Sequence, residues 1–336
     1  MKPVLFFDAD AKLRDFITRN LAAGYAPVFL THSINDANDA ELKKYEQAEI
    51  ISLFTHSDKV SNKKLALLPH LKMINTRSTG FNHIDLAWCQ KRKIVVTNVP
   101  KYGETTVAEF AFALLLALVR HLIQAKNDMA QNQIQLNKYM GTDLYGKTIG
   151  VIGTGSIGRH LIQIAQGFGM KIAAYDPYPH PTLKEVYVPD LKALYKKSDI
   201  ISLHIPSTPE NRHLINKQAF AQMKRGVIII NTARGDLIDT QALYQALHSG
   251  HVGGAGLDVL ENEDFLLNDD IDPDHSRCNQ ECLLDSAMNL KLMQFKNVIA
   301  TPHIAFNSVD AIERIMKTAV DNINQFIAKK PVNRVG

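Results

Sequence analysis

The order of apolar and polar positions along the chain falls into two similar series. In the first, short unbroken apolar runs stand at 4–8, 27–30, 50–54, 71–75 and 94–97, and 12–23 has helical spacing. A strand covered on both faces reads as such a run, because its side chains alternate between two buried layers. Runs of this kind with helices between them predict a parallel sheet packed on both sides. Residues 104–124 are then apolar at most positions. They predict one long helix, and a helix apolar on most sides must be buried. A dimer or interdomain helix is expected. The polar passage 127–145, rich in Gln and Asn, is expected to be exposed.

The second series starts at Lys147. Strands are predicted at 148–152, 171–175, 199–205, 227–232, 256–259 and 298–301, and helices at 157–168, 191–197, 217–223 and 241–249. Six strands with crossover helices predict a doubly wound nucleotide-binding domain. A last helix, 308–328, is expected to return to the first domain. That domain is then discontinuous, 1–100 with 304–336, and encloses 101–303. The stretch 261–289 breaks the regularity. It carries Asp269, Asp270, Asp272, Asp274, Glu281 and Asp285 with Pro273, and predicts a surface loop with one short helix.

Composition narrows the partners. A length of 336 residues fits two domains, and 46% hydrophobic with 21% charged residues is an ordinary globular balance. The formal charge of +4, without a basic run, points away from nucleic acid. The apolar stretch 110–119 falls short of the ~20 residues a membrane helix needs, and the N-terminus lacks a signal-peptide pattern. Cys89, Cys278 and Cys282 are too few for a disulfide framework, so a cytoplasmic setting is expected. Cys89, at helical spacing, reads as a buried apolar residue. The spacing of His275, Cys278 and Cys282 matches no zinc pattern, and no metal is expected. His32, His56, His70 and His83 read as surface or capping residues.

The chemistry-bearing segments lie in the second series. Gly153-Thr154-Gly155-Ser156-Ile157-Gly158 has a strand before it and a helix after it. The first glycine allows the turn, the second lets a pyrophosphate approach, and the third lets helix and strand pack. Asp176, after the next strand, stands where a carboxylate accepts from adenosine ribose hydroxyls and repels a 2′-phosphate, which favours NAD. Downstream, Arg234, Glu263 and His303 each follow a predicted strand, at the end of a parallel sheet where ligands bind. The set suits reduction of a 2-keto acid. Arg grips a carboxylate with two prongs, His delivers a proton near neutral pH, and Glu orients the His.

In Asn231-Thr232-Ala233-Arg234-Gly235, in Leu257-Asp258-Val259 leading to Glu263, and in Thr301-Pro302-His303-Ile304-Ala305, the chain resembles the D-isomer-specific 2-hydroxyacid dehydrogenases, over nearly its whole length. The resemblance implies two doubly wound parallel-sheet domains, a Rossmann NAD-binding domain inserted in a flavodoxin-like catalytic domain. It implies that Arg234 binds the substrate carboxylate with backbone amides near Ser78, Thr79 and Gly80, and that Tyr102 touches the substrate. His303 is then the acid–base and Glu263 its partner. Ser156 and Ile157 would sit on the pyrophosphate, Ile205 and Pro206 beside the adenosine, and Asn211 at the cofactor edge. Thr232, Ala233, Arg234, Asp258 and His303 would lie near the nicotinamide. Asn98-Val99-Pro100-Lys101-Tyr102, Phe306 and the long insert resemble the D-lactate branch, which implies pyruvate, NADH and a homodimer. There are departures. Asp264 follows Glu263 where the family often has Pro, and Asn307-Ser308 follow Phe306 where the lactate branch often has an aromatic or hydroxyl residue. Glu261 competes with Glu263, which is preferred for its offset from Asp258. Two other readings stay open, a relative acting on bulkier 2-keto acids and a non-catalytic NAD(H)-sensing protein.

Overall fold

The structure, a computed structural model, describes residues 1–9, 11–54, 59–263 and 280–336. Its chain divides into two compact units, one of residues 1–102 with 308–336 and one of residues 103–307.

In the first unit the apolar runs become β1 (Lys2–Phe6), β2 (Tyr25–Phe29), β3 (Ile50–Leu53), β4 (Met73–Thr76) and β5 (Val95–Thr97). Helices α1 (Ala11–Asn20), α2 (Asp39–Lys43), α3 (Asn62–Leu65) and α4 (Leu86–Lys91) connect them. The sheet is parallel, in the order β2-β1-β3-β4-β5, the flavodoxin-like order. The alternation of β1 shows why the runs are unbroken. Leu5 packs in one core layer and Val4 and Phe6 in the opposite one, all fully buried. Each such side chain contributes roughly 1.5–3 kcal/mol of transfer free energy. The second layer is closed by Met316, Val320 and Ile323 of the last helix of the chain.

In the second unit, α5 (Glu104–Val119) and α6 (Leu122–Ala130) precede β6 (Thr148–Ile152), α7 (Ser156–Gly167), β7 (Lys171–Tyr175), α8 (Leu191–Lys197) and β8 (Ile200–Leu203). Then come α9 (Lys217–Gln222), β9 (Val227–Asn231), α10 (Thr240–His248), β10 (Val252–Leu257), α11 (Gln280–Leu292) and β11 (Val298–Ala300). The parallel sheet runs β11-β10-β9-β8-β6-β7, and Tyr187 adds a parallel bridge to Ala174 beyond β7. The strand order therefore reverses at β6, where a doubly wound sheet opens its ligand crevice. The last helix, α12 (Val309–Ile327), capped by Ser308 on the Ala311 amide, belongs to the first unit.

Three expectations change. The single helix 104–124 is two helices bent by 60°. His121 adopts the left-handed region at φ 53°, and the Val119 carbonyl accepts from Thr142 N at 3.0 Å instead of continuing the ladder. The apolar surface of α5 is spent inside its own unit, in a core shared with β6, α7 and β9; the exposed large apolar residues between 104 and 140 are Leu122, Ile123, Met129, Ile134, Leu136 and Met140, beyond the break. Among the described residues no single helix is long and apolar enough to cross a membrane. Lastly, β10 starts at Val252, through Gly253, Gly254 and Gly256. A Cβ on Gly256 would fall 3.0 Å from the Leu114 Cβ, so the glycines that hide the strand from a propensity reading are what let α5 lie on it. Of the acidic insert, α11 accounts for the last third, and 264–279, with His275 and Cys278, lie outside the described residues.

Candidate active site

The glycine loop separates its glycines by what each one faces. Gly153 has φ 95° and a Cβ there would strike the His204 carbonyl oxygen at 2.5 Å; one on Gly158 would fall 2.0 Å from the Gly153 oxygen. Both are required by the packing of strand, loop and helix. A Cβ on Gly155 would meet nothing within 4 Å. Its lack of a side chain leaves an open cradle at the start of α7, whose first amides have no helical partner and carry partial positive charge. Ser156 and Ile157 form that first turn.

Asp176 is held from three sides. Its Oδ2 accepts from Thr154 N at 2.7 Å and Thr154 Oγ1 at 3.0 Å, and its Oδ1 accepts from Tyr178 N at 2.8 Å. Thr154 in turn shares a 2.6 Å hydrogen bond with the Tyr187 hydroxyl. A carboxylate has about four acceptor positions, so it keeps capacity for ribose hydroxyls. Open cradle, helix N-terminus and oriented carboxylate together fit a dinucleotide. Ile205 borders the loop, with Cγ2 2.7 Å from the Cβ position of Gly153. Asn211 spends both amide ends locally, on Thr208 N and the Pro206 carbonyl, and so fixes its own turn.

The turn after β9 is closed by Asn231, whose side chain donates to the Arg234 carbonyl and accepts from Ala233 N. The Arg234 guanidinium donates to the Ala233 carbonyl at 2.6 Å, and among the described residues no carboxylate pairs with it. Thr232 Oγ1 is buried and has no partner there. After β10, Asp258 is 1% exposed. It accepts from Thr301 Oγ1 at 2.6 Å, Ile304 N at 2.9 Å and Ala305 N at 2.8 Å. Burial pushes its carboxyl above the usual range, against those donors. This grip shapes the loop on which His303 takes a left-handed conformation at φ 51°.

His303 Nδ1 lies 2.8 Å from Glu263 Oε1, while Glu263 Oε2 accepts from Leu260 N at 3.0 Å. A ring whose Nδ1–H is given to a carboxylate turns Nε2 outward. Glu261, the competing acid, is elsewhere: its carboxylate is 4% exposed and meets Arg212 and His213, with no hydrogen bond to His303 among those of the described residues. Sequence reading missed these two partners, as it missed Thr154 and Tyr187. The signal available was the paired Arg212-His213 after a strand, which spacing alone cannot join to Glu261.

In the first unit, Ser78, Thr79 and Gly80 form one tight loop at the end of β4. Ser78 Oγ donates to the Gly80 carbonyl, Thr79 Oγ1 to the Val99 carbonyl, and Asn98 Nδ2 to the Thr79 carbonyl. Arg77, 1% exposed, sits beneath it and donates to Ser52 O at 3.2 Å; desolvation pulls it down to about 10. The Tyr102 carbonyl accepts from Arg314 Nε at 2.8 Å. Phe306 is half-buried, at the end of the second unit. One histidine differs from expectation: His83 is buried, with Nε2 3.2 Å from Thr76 Oγ1, whereas His32 is partly exposed, 3.1 Å from Glu41. His70 is exposed and His56 lies outside the described residues. Cys89 is buried in α4, its thiol pushed up to about 11.

Residues 112–305 match the family model described as D-isomer specific 2-hydroxyacid dehydrogenase, NAD binding domain. The chain is 40% identical over 291 residues to a 2-hydroxyacid dehydrogenase homolog of Haemophilus influenzae, covering 85% of each. It is 38% identical over 279 residues to the D-lactate dehydrogenase of Escherichia coli, covering 82% of each. A crystal structure of D-lactate dehydrogenase from Aquifex aeolicus, complexed with NAD and lactic acid, superposes with a TM-score of 0.84 at 37% identity, over 97% of this chain and 96% of that one.

Proposed function

The chain belongs to the D-isomer-specific 2-hydroxyacid dehydrogenases, NAD-dependent oxidoreductases of small 2-hydroxy and 2-keto acids, and from that premise we propose that its substrate pair is pyruvate and D-lactate. The observation that carries the site assignment is the His303–Glu263 contact at 2.8 Å, in the same unit as an Arg234 guanidinium that has no carboxylate partner among the described residues. NADH, when bound, supplies the hydride that reaches C2 of the keto acid. Arg234 holds the substrate carboxylate through two parallel N–H···O bonds, which fixes the plane of the acid. His303 delivers a proton from Nε2 to the keto oxygen as it becomes an alcohol. Glu263 orients the ring through Nδ1 and balances its charge when both nitrogens carry protons.

Ser78, Thr79 and Gly80, through their amides, with Tyr102 and Phe306, are the further substrate-binding residues in this reading. Residues 1–100 and 304–336 are the substrate domain in this reading, and 101–303 the NAD domain. Gly155, Ser156 and Ile157 hold the pyrophosphate on a loop shaped by Gly153 and Gly158, and Asp176 holds the adenosine ribose; Ile205 and Pro206 line the adenosine side and Asn211 the cofactor edge. Thr232, Ala233, Asp258 and His303 frame the nicotinamide. What supports pyruvate is the likeness to D-lactate dehydrogenases and the aromatic at Phe306. The enzyme works as a homodimer in the cytoplasm. The exposed apolar side chains between 122 and 140 favour the dimer, and the buried, unpaired Cys89 favours a reducing compartment.

The test is NADH oxidation with pyruvate, 2-ketoisocaproate and phenylpyruvate at fixed NADH. The expected result is the highest kcat/KM for pyruvate. The lowest kcat/KM for pyruvate overturns the substrate assignment, and NADH binding without oxidation by any of the three overturns catalysis.

A further inference from the structure

Glu261 is a buried carboxylate that the chemistry above does not use, although it stands two positions before Glu263. Its Oε1 receives His213 Nε2 at 2.7 Å and Arg212 Nη2 at 2.9 Å, and its Oε2 receives Thr240 Oγ1 at 3.3 Å. The backbone carbonyl of Glu261 accepts from Asn289 Nδ2 at 2.7 Å. A charge taken out of water is costly unless partners surround it, and an apolar side chain fills such a space at lower cost.

What the carboxylate joins gives it a use. Asn262, left-handed at φ 55°, reverses the chain between the two acids. Glu261 therefore turns inward while Glu263 folds back to Leu260 N and reaches His303. His213 is also left-handed, at φ 54°, and its amide donates to the Asp236 carbonyl at 2.8 Å. Gly235, next to Arg234, lies so close to the Leu260–Glu261 peptide that a Cβ would fall 2.1 Å from the Leu260 carbonyl carbon. Ser207 Oγ donates to the Asp236 carboxylate at 2.5 Å. Arg212 and His213 thus meet Thr240 at one carboxylate, while segment 234–238 joins 207–215 through Asp236 and packs on the Leu260–Glu261 peptide through Gly235. Left-handed conformations in non-glycine residues persist only where the surroundings impose them, and here two of them flank that carboxylate.

We propose that Glu261, with Arg212 and His213, is a positioning residue for the reaction: it docks the loop carrying Arg234 onto the loop carrying Glu263, so that carboxylate grip and His303 share one geometry. The inference rests on the roles given above to Arg234, Glu263 and His303.

Glu261→Gln keeps the shape and removes the charge. Turnover is measured per NADH-binding site, so that unfolded protein does not count, together with the solvent isotope effect on kcat. A misplacement near 1 Å costs on the order of 100-fold. The expected result is a fall of about 10- to 100-fold in kcat per site, a larger isotope effect as proton delivery from Nε2 becomes limiting, and unchanged NADH affinity. Arg212→Gln, at a side chain 47% exposed, carries the same test with the same direction if Glu261→Gln does not fold. Parental kcat per site and isotope effect, with only Tm lowered, overturn the proposal. His303→Gln run alongside separates the two levels. If that variant stays active the site reading fails, whereas an inactive His303→Gln beside unimpaired Glu261→Gln and Arg212→Gln refutes the positioning role alone.

Discussion

Each proposed catalytic side chain is aimed by a neighbour rather than by its own strand. His303 is held at Nδ1 by Glu263, and its loop hangs on the buried Asp258. Replacing Asp258 by Asn leaves at least one of three donors facing an amide NH2. Unfolding in urea is expected to show a loss of roughly 1–3 kcal/mol, with turnover falling because the His303 loop shifts. Full retention of stability would mean that the loop is held by other contacts. His204 gives a pH signature. Desolvation pushes its imidazole down to about 4 from an ordinary 6.5, so the folded protein keeps it neutral where the unfolded chain takes up a proton. Stability from this residue is complete above pH 6.5 and declines as pH falls towards 4. His204→Gln is expected to flatten that part of the Tm–pH curve, and an unchanged slope would assign the decline to other groups. At this scale the sequence carried residue types and order well. Arg234, Glu263 and His303 are legible because each follows a strand. The Arg212–His213–Glu261 cluster is not, since its members lie 48 and 49 positions apart and no local pattern links them.

At the level of elements, the glycine loop divides structural from ligand-directed demands. Gly158→Ala places a methyl 2.0 Å from a carbonyl oxygen, and calorimetry is expected to show a lowered Tm together with weakened NADH binding. Gly155→Ala meets open space in the protein, so Tm is expected to hold while NADH binding falls. Undiminished NADH binding in Gly155→Ala would place the pyrophosphate elsewhere. Strands built from unbroken apolar runs were legible from the sequence. β10 was not, because Gly253, Gly254 and Gly256 lack the side chains that mark a strand. The break between α5 and α6 was not legible either. Nothing in Arg120-His121 forbids a helix; the helix ends because the Val119 carbonyl is taken by Thr142.

For the whole molecule, the discontinuous first unit follows from α12, whose Met316, Val320 and Ile323 cover one face of its sheet. The apolar face of that helix was legible by periodicity. Which sheet it covers was an expectation that periodicity alone could not supply. The exposed apolar stretch after α5 carries the dimer proposal. Light scattering on the parent is expected to give twice 37.5 kDa, and Leu122→Glu with Ile123→Glu to give the monomer mass. A parent of monomer mass would leave the stretch without that role. Turnover rests on fewer atoms. The direct measurement is His303→Gln, with NADH binding titrated and pyruvate reduction assayed on the same sample. Undiminished NADH affinity with turnover lower by about 10²- to 10⁴-fold is the expected outcome. Retained turnover, or lost NADH binding, would contradict the placing of the reacting proton on His303.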